Sequence, residues 1–196
     1  MYHDKTYKRC KFFENKDIDN ILYVNGIKVD KINKMLDDID WDLIYKNSIP
    51  SKFHGDFQSE NIIYNNNNLF TLIDWRQSFG NSLEIGDFYY DLAKLYHSLI
   101  VNGSDVKNKL YKIKIDGDRS YVHIYMRSNL ISLLNELKKF CKNNNLSWKN
   151  VELLGTLQYI GISSLYDNFH NGEYGKFLFL FGKYLLSKLN KENFIY

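Results

Sequence analysis

The feature that most constrains this chain is an ordered series of polar motifs between His54 and Leu95. The series runs His54-Gly55-Asp56, Asn61, Ile73-Asp74-Trp75 and Tyr90-Asp91-Leu92-Ala93. Between Asn61 and Asp74, two short apolar runs enclose four consecutive asparagines, a pattern that predicts a β-hairpin. Such a hairpin carries Asp74 back beside Asn61.

Asp56, Asn61 and Asp74 are of the residue types that phosphoryl transfer requires. In that reaction a protein supplies a base aimed at the acceptor hydroxyl and ligands for Mg²⁺ held against the phosphates. Asp56 and Asn61 are five positions apart, the spacing that the kinase pattern H-R-D-x-x-x-x-N uses to place both groups on one loop. A single Asp or Asn before an apolar run is usually a cap or a turn former. The ordered series at matching intervals favours a site.

At these residues the chain resembles the aminoglycoside phosphotransferase and choline kinase group, the small-molecule branch of the protein-kinase-like fold. The similarity is specific for about forty residues and looser elsewhere. It implies that His54 to Asn61 form the catalytic loop, with Asp56 as the catalytic base. It also implies that Asn61 and Asp74 are Mg²⁺ ligands, and that Asp91 is a buried aspartate bracing the catalytic loop. It also implies ATP as phosphoryl donor and a hydroxyl of a small molecule as acceptor.

Two shorter stretches are similar to kinase-like domains associated with bacterial surface-polysaccharide loci. They are Pro50-Ser51-Lys52-Phe53-His54-Gly55-Asp56 and Asp74-Trp75-Arg76-Gln77. This narrower resemblance implies a sugar or amino-alcohol precursor of surface glycan as the acceptor.

Three residues around the proposed base have supporting roles in this interpretation. We expect His54 to anchor the loop backbone, and Gly55 to supply a backbone conformation that a side chain would obstruct. Gln58 lies two residues past Asp56. Its amide either contacts the γ-phosphate or the acceptor, or holds the loop.

Trp75 and Arg76 follow the proposed metal ligand, where the resemblance implies that the acceptor binds. A guanidinium there suggests an acceptor that bears phosphate, carboxylate or many hydroxyl groups. The alternative for Arg76 is a structural salt bridge to Glu84 or Asp87.

The fifty-three residues before His54 contain no G-x-G-x-x-G and no V-A-I-K-like strand, the elements that cover ATP in complete kinase-like enzymes. Apolar residues between 32 and 39 instead predict a helix, capped by Asp30, and Pro50 ends the helical pattern. We therefore expect a C-terminal lobe alone. Either the chain was cut from a longer polypeptide, or its partner lobe lies on another chain, or the nucleotide is bound in some reduced way. The alternative function is a catalytically silent binding or regulatory module of a larger protein, such as one with a fused nucleotidyltransferase.

The predicted architecture is mainly α with a small catalytic β-hairpin (α+β), in one domain spanning 1–196. It consists of a helical lead-in (1–50), the catalytic loop, metal-binding hairpin and following helix (51–95), and a helical subdomain (96–196). Further helices are predicted over 87–101, 121–141, 151–166 and 174–189, with a short strand over 111–115.

Composition argues against several classes of protein. A formal charge of +3 without an arginine cluster excludes nucleic acid as the expected partner. Cys10 and Cys141 lack the spacing of a zinc site or a disulfide scaffold. The first residues lack the apolar core of a signal peptide, and the apolar run 177–181 is interrupted by Gly182 and Lys183 before the ~20 residues that a bilayer requires. We predict a cytoplasmic protein without membrane insertion, and a buried helix for this run.

Overall fold

The computed structural model describes residues 2–14, 16–65 and 69–192. Contacts between residues divide the chain into two compact units. The first unit contains residues 1–42, 111–124 and 156–196, and the second contains residues 43–110 and 125–155. The whole motif series from His54 to Leu95 lies in the second unit.

Helices and short strands alternate along the described chain. The helices are α1 (Tyr2–Cys10), α2 (Ile32–Asp37), α3 (Trp41–Lys46), α4 (Phe88–Ile100), α5 (Gly103–Lys107), α6 (Ser128–Asn143), α7 (Trp148–Ser163) and α8 (Glu173–Glu192). The strands are β1 (Tyr23–Val24), β2 (Ile27–Lys28), β3 (Pro50–Ser51), β4 (Ile62–Tyr64), β5 (Phe70–Leu72), β6 (Gly86–Asp87), β7 (Tyr111–Asp116) and β8 (Arg119–Ile124). Short 3₁₀ turns cover Asp17–Asn20, Ser59–Asn61 and Ser164–Tyr166. The predicted mainly helical character with small β elements agrees with this content.

The first unit is built around a four-stranded sheet in the order β2-β1-β8-β7. The sheet is antiparallel except that β1 and β8 pair in parallel. Helix α8 packs against β1, β7 and β8. Its residues Phe177 to Leu180 are fully buried, so the apolar run forms a buried terminal helix as predicted. No helix in the described part of the chain is long and apolar enough to cross a membrane.

A buried ion pair ties α8 to the start of α2. Lys183 Nζ lies 2.8 Å from Asp19 Oδ1, and the same oxygen accepts a hydrogen bond from Ile32 N at 3.0 Å. The carboxylate at the start of α2 is therefore that of Asp19, and the prediction that Asp30 caps this helix is wrong. Asp30 instead pairs with Lys34, one turn along the chain.

The second unit is organised by α4, as the sequence predicts for residues 87–101. Asp87 caps this helix, since its Oδ1 accepts hydrogen bonds from Tyr89 N at 3.0 Å and from Ile49 N at 3.1 Å. The second of these bonds lies beside the short β3–β6 pairing. Helix α4 packs against α6 and against the 3₁₀ turn Ser59–Asn61. This packing places one face of α4 directly behind the catalytic loop.

Two β elements differ from the sequence prediction. Residues 121–141 do not form one helix, because Arg119–Ile124 alternates between exposed and buried positions and pairs with β7 before α6 begins at Ser128. The lead-in also contains the β1–β2 hairpin, whose turn residues Asn25 and Gly26 have φ of 50° and 77°. Both elements depend on pairing in a sheet that joins segments about a hundred residues apart.

Candidate active site

The predicted hairpin between Asn61 and Asp74 is present. Strands β4 and β5 pair antiparallel, with Ile62 opposite Leu72 and Tyr64 opposite Phe70. Residues 66–68 of the asparagine turn lie outside the described residues. At the open end of the hairpin, Ile73 N donates to Asn61 O at 3.0 Å. This bond returns the chain to the catalytic loop one residue before Asp74.

Asp74 has an uncommon backbone conformation. Its φ is 59°, in the left-handed region that residues other than glycine seldom adopt and that costs on the order of 1 kcal/mol or more. The residue is exposed.

Asn61 is buried, and its side chain is oriented by the loop. Its Nδ2 donates to the carbonyl of Asp56 at 2.9 Å, so the amide oxygen is the atom that a cation can use. Carboxylate and amide oxygens are the hard donors that Mg²⁺ prefers, and Mg²⁺ commonly takes one or two protein ligands together with substrate phosphates. The described residues contain no group of three or more His, Cys, Asp or Glu that could hold a metal. The amide oxygen of Asn61 and the carboxylate of Asp74 are of the donor types that suit an Mg²⁺ shared with phosphates.

Asp91 holds the catalytic loop from the first turns of α4. Its two carboxylate oxygens accept hydrogen bonds from His54 N at 2.7 Å and from Gly55 N at 2.8 Å. The side chain is buried, as expected for this residue. Burial raises the pKa of Asp91, and the two backbone bonds offset part of that effect.

His54 and Gly55 shape the loop locally. His54 Nδ1 accepts a hydrogen bond from Asp56 N at 3.2 Å, and His54 O accepts one from Arg76 N at 2.9 Å. Gly55 has φ of 77°, and a Cβ at this position would lie 2.6 Å from Arg76 Cβ. The absence of a side chain at Gly55 is therefore needed for the residues after Asp74 to pack against the loop.

Asp56 is paired with two cations. Arg76 Nη2 lies 2.6 Å from Oδ2, and Lys94 Nζ lies 2.9 Å from Oδ1. Burial alone would raise the pKa of Asp56, but Lys94 and Arg76 outweigh burial and lower the pKa below its usual range. The alternative of a salt bridge from Arg76 to Glu84 or Asp87 is wrong, because the guanidinium binds Asp56 instead.

Lys94 is the site residue that the sequence interpretation missed. It lies three positions after Asp91 on α4, and residues three apart share a face of a helix. Since Asp91 contacts the backbone of His54 and Gly55, a cation one turn later on that face is placed beside Asp56. The helical spacing was therefore a usable signal.

Trp75 and Gln58 flank the site. Trp75 Nε1 donates to Leu72 O at 3.0 Å, its ring centroid lies 4.7 Å from that of His54, and more than half of the residue is exposed. Gln58 precedes the 3₁₀ turn, where its carbonyl accepts from Asn61 N at 2.9 Å. The backbone of Gln58 thus holds the loop, and a phosphate or substrate contact of its half-buried side chain stays a prediction.

Comparison with known proteins identifies the segment that carries these motifs. Residues 28–120 match the model of a family described as the phosphotransferase enzyme family. The matched segment contains every residue of the candidate site, and it confirms the resemblance to aminoglycoside phosphotransferases and choline kinases. Neither the curated proteins nor the solved structures gave a match.

Proposed function

Because residues 28–120 match the model of the phosphotransferase enzyme family, we propose that this chain transfers the γ-phosphoryl group of Mg²⁺-bound ATP to a hydroxyl of a small metabolite. The observation that carries the proposal is the bond from Ile73 N to Asn61 O. It returns Asp74 to the loop that already holds Asp56 and Asn61. The residues that we propose as base and metal ligands, Asp56, Asn61 and Asp74, thus lie on one loop and one hairpin of the second unit.

Asp56 orients the acceptor and receives its proton. The acceptor oxygen forms a bond to the γ-phosphorus, the bond from that phosphorus to the bridging oxygen of ADP breaks, and the hydroxyl proton passes to the Asp56 carboxylate. The transition state of such reactions is loose, so the acceptor keeps its proton until late. A carboxylate of lowered pKa suits this sequence, because it orients the hydroxyl throughout and takes the proton only as the ester forms.

Asn61 and Asp74 are the residues that would hold Mg²⁺. The ion supplies charge neutralisation at the phosphates when it is bound. Asn61 offers an amide oxygen whose orientation is fixed by the Asp56 carbonyl, and Asp74 offers an exposed carboxylate on a strained backbone. Asp91 contributes indirectly, by holding His54 and Gly55 and therefore the position of Asp56.

The acceptor side of the site is assigned to Trp75 and Arg76, with Gln58 towards the phosphates. The exposed Trp75 ring, fixed by its bond to Leu72 O, offers a flat apolar surface, and the Arg76 guanidinium offers hydrogen-bond donors. A sugar or amino-alcohol precursor of bacterial surface glycan is the acceptor class that we favour. This preference is supported by two segments that are similar to domains from such loci. One segment runs from Pro50 through Asp56, and the other from Asp74 through Gln77.

A second candidate function has one specific observation in its favour. Both carboxylate oxygens of Asp56 contact cations, Arg76 on one side and Lys94 on the other. A fully paired aspartate is also what a catalytically silent binding or regulatory module would contain.

Formation of ADP separates the two candidates. It is measured with ATP, Mg²⁺ and a panel of sugars and amino alcohols, on the purified chain extended upstream by a kinase-like N-terminal lobe, because residues 1–53 contain no G-x-G-x-x-G and no V-A-I-K-like strand. We expect acceptor-dependent turnover that falls by about 10²- to 10⁴-fold in Asp56→Asn, the range for loss of a general base. Asp74→Asn should also lose turnover, and the loss should be partly relieved by raised Mg²⁺. Asp105→Asn is the matched control, because Asp105 is a buried aspartate paired with an arginine, Arg127, in the same unit. Turnover that is absent, or unchanged in Asp56→Asn, would favour the silent module.

A further inference from the structure

The two cations that bind Asp56 differ in their exposure to solvent. The side chain of Asp56 is 6% exposed, that of Lys94 is 13% exposed, and that of Arg76 is 57% exposed. Lys94 belongs to the buried face between α4 and the loop. Arg76 reaches Asp56 from the solvent side, so it lies between the carboxylate and any molecule that approaches.

The position of Arg76 is fixed at its backbone rather than at its charged end. Its N–H donates to His54 O at 2.9 Å, and its Cβ and Cγ occupy the space that a side chain at Gly55 would need. The guanidinium therefore emerges next to Asp56. A guanidinium has five N–H donors in a planar fork that matches phosphate and carboxylate groups, and the contact with Asp56 is made through Nη2.

From this arrangement we propose that Arg76 determines acceptor specificity, by binding a phosphate or carboxylate group of the acceptor next to Asp56. The proposal rests on the proposed phosphotransferase function and adds the substrate class, a small alcohol that also carries an anionic group. The anionic group accepts hydrogen bonds from the exposed guanidinium, and this binding places the acceptor hydroxyl against the Asp56 carboxylate. Lys94 keeps Asp56 in position when Arg76 turns towards the anion.

The group that faces solvent beside Asp56 is a cation. Lys94 already balances the buried Asp56 carboxylate, so the Arg76 guanidinium adds a positive charge, which the Asp74 carboxylate also senses. A cationic acceptor such as a quaternary amine would instead lie close to the exposed Arg76 guanidinium beside Asp56. The two positive charges would repel each other.

Calorimetric titration with glycerol and with glycerol 3-phosphate provides the test, because these probes differ only in the phosphate group. The titrations are made at constant ionic strength without nucleotide, on the wild-type chain and on Arg76→Gln, Arg76→Lys and Arg127→Gln. Arg127 is the matched control, a half-exposed arginine that pairs with the buried Asp105 in the same unit. We expect the wild type to bind glycerol 3-phosphate at least tenfold more tightly than glycerol. Arg76→Gln should remove this preference, Arg76→Lys should keep part of it, and Arg127→Gln should keep all of it.

Several outcomes overturn the assignment. The first is equal binding of the two probes by the wild type, and the second is a preference for glycerol 3-phosphate that survives in Arg76→Gln. The third is displacement of glycerol 3-phosphate by Mg-ATP, which would assign Arg76 to the nucleotide phosphates. Turnover that depends on Asp56 but favours neutral acceptors would reject the role of Arg76 and leave the proposed function standing. A preference that is lost with Arg76, together with no turnover on any acceptor by the chain extended with an N-terminal lobe, would reject the proposed function and retain the anion site.

Discussion

Replacement of Asp91 by alanine removes the carboxylate that accepts hydrogen bonds from the His54 and Gly55 amides. Both amides belong to buried residues and donate to Asp91 at 2.7 and 2.8 Å. A buried donor left without a partner costs about 1–3 kcal/mol. The substitution also removes a buried charge, which offsets part of this cost. Burial raises the pKa of Asp91, so the charged carboxylate is unfavourable to bury. We expect Asp91→Ala to lower the free energy of unfolding by about 2–4 kcal/mol.

Urea unfolding followed by tryptophan fluorescence measures this loss. Hydrogen exchange of the His54 and Gly55 amides then reports whether the loss arises at the loop. Both amides should exchange faster in Asp91→Ala. Glu136→Ala is the control, because Glu136 forms an exposed pair with Lys139, and such pairs contribute about 0–1 kcal/mol.

A free energy of unfolding that changes by less than about 0.5 kcal/mol, a typical effect of a surface substitution, would refute the reasoning. Unchanged protection of the two amides would refute it as well, since it would mean that other groups hold the loop. In either case Asp91 would not be the brace of the catalytic loop.

Two further predictions concern residues beside the loop. Gly55→Ala should be less stable than the wild type by about 2–3 kcal/mol, and Gly26→Ala by only about 1 kcal/mol. Both glycines have φ of 77°, but only a Cβ at Gly55 would collide with a neighbour, Arg76. Equal losses in urea unfolding would show that the contact with Arg76 is unimportant. Burial, reinforced by the positive charge of Lys94, lowers the pKa of His97 to about 3. His97 therefore stays neutral in the folded chain. In the unfolded chain it binds a proton below its ordinary pKa of about 6.5. Stability should therefore be fully present above that pH and fall as the pH decreases, by about 2 kcal/mol between pH 6.5 and 5. His97→Gln should flatten this dependence, whereas the exposed His3→Gln should not.

Local sequence patterns predict the elements whose partners are close in the chain. The hairpin of β4 and β5 pairs residues separated by only a short turn, and α4 follows from its apolar spacing and from Asp87 at its start. The spacing of Asp56 and Asn61 likewise places both residues on one loop. These features are determined by turn chemistry and periodicity, which are properties of the sequence itself.

Local sequence patterns do not indicate features that depend on tertiary contacts. The parallel pairing of β1 with β8 joins Tyr23 to Arg119, and no local pattern indicates that partner. The sequence predicts a helix from residue 121, inside the strand Arg119–Ile124, because six alternating residues are a weaker signal than the helical run that follows them. The contact of Arg76 with Asp56 spans twenty positions, and it requires both the hairpin and the space left by Gly55. The sequence therefore predicts that Arg76 lies near the acceptor, but it does not indicate which carboxylate Arg76 contacts.

The two cations at Asp56 should contribute differently to stability. An exposed pair contributes about 0–1 kcal/mol, whereas removal of one partner from a buried pair costs about 3–5 kcal/mol. The Arg76 side chain is more than half exposed and that of Lys94 is mostly buried. We therefore expect Arg76→Gln to change the free energy of unfolding by less than about 1 kcal/mol and Lys94→Met to lower it by about 2 kcal/mol or more.

The same difference determines which cation can serve recognition. A contact of small free energy, such as that of Arg76, can be given up to a substrate anion at little cost, while the contact that keeps the buried carboxylate charged must persist. If urea unfolding showed Arg76→Gln to be the more destabilising of the two substitutions, Arg76 would be the structural partner of Asp56. It could not then turn towards an acceptor, and the division of roles between Arg76 and Lys94 would be wrong.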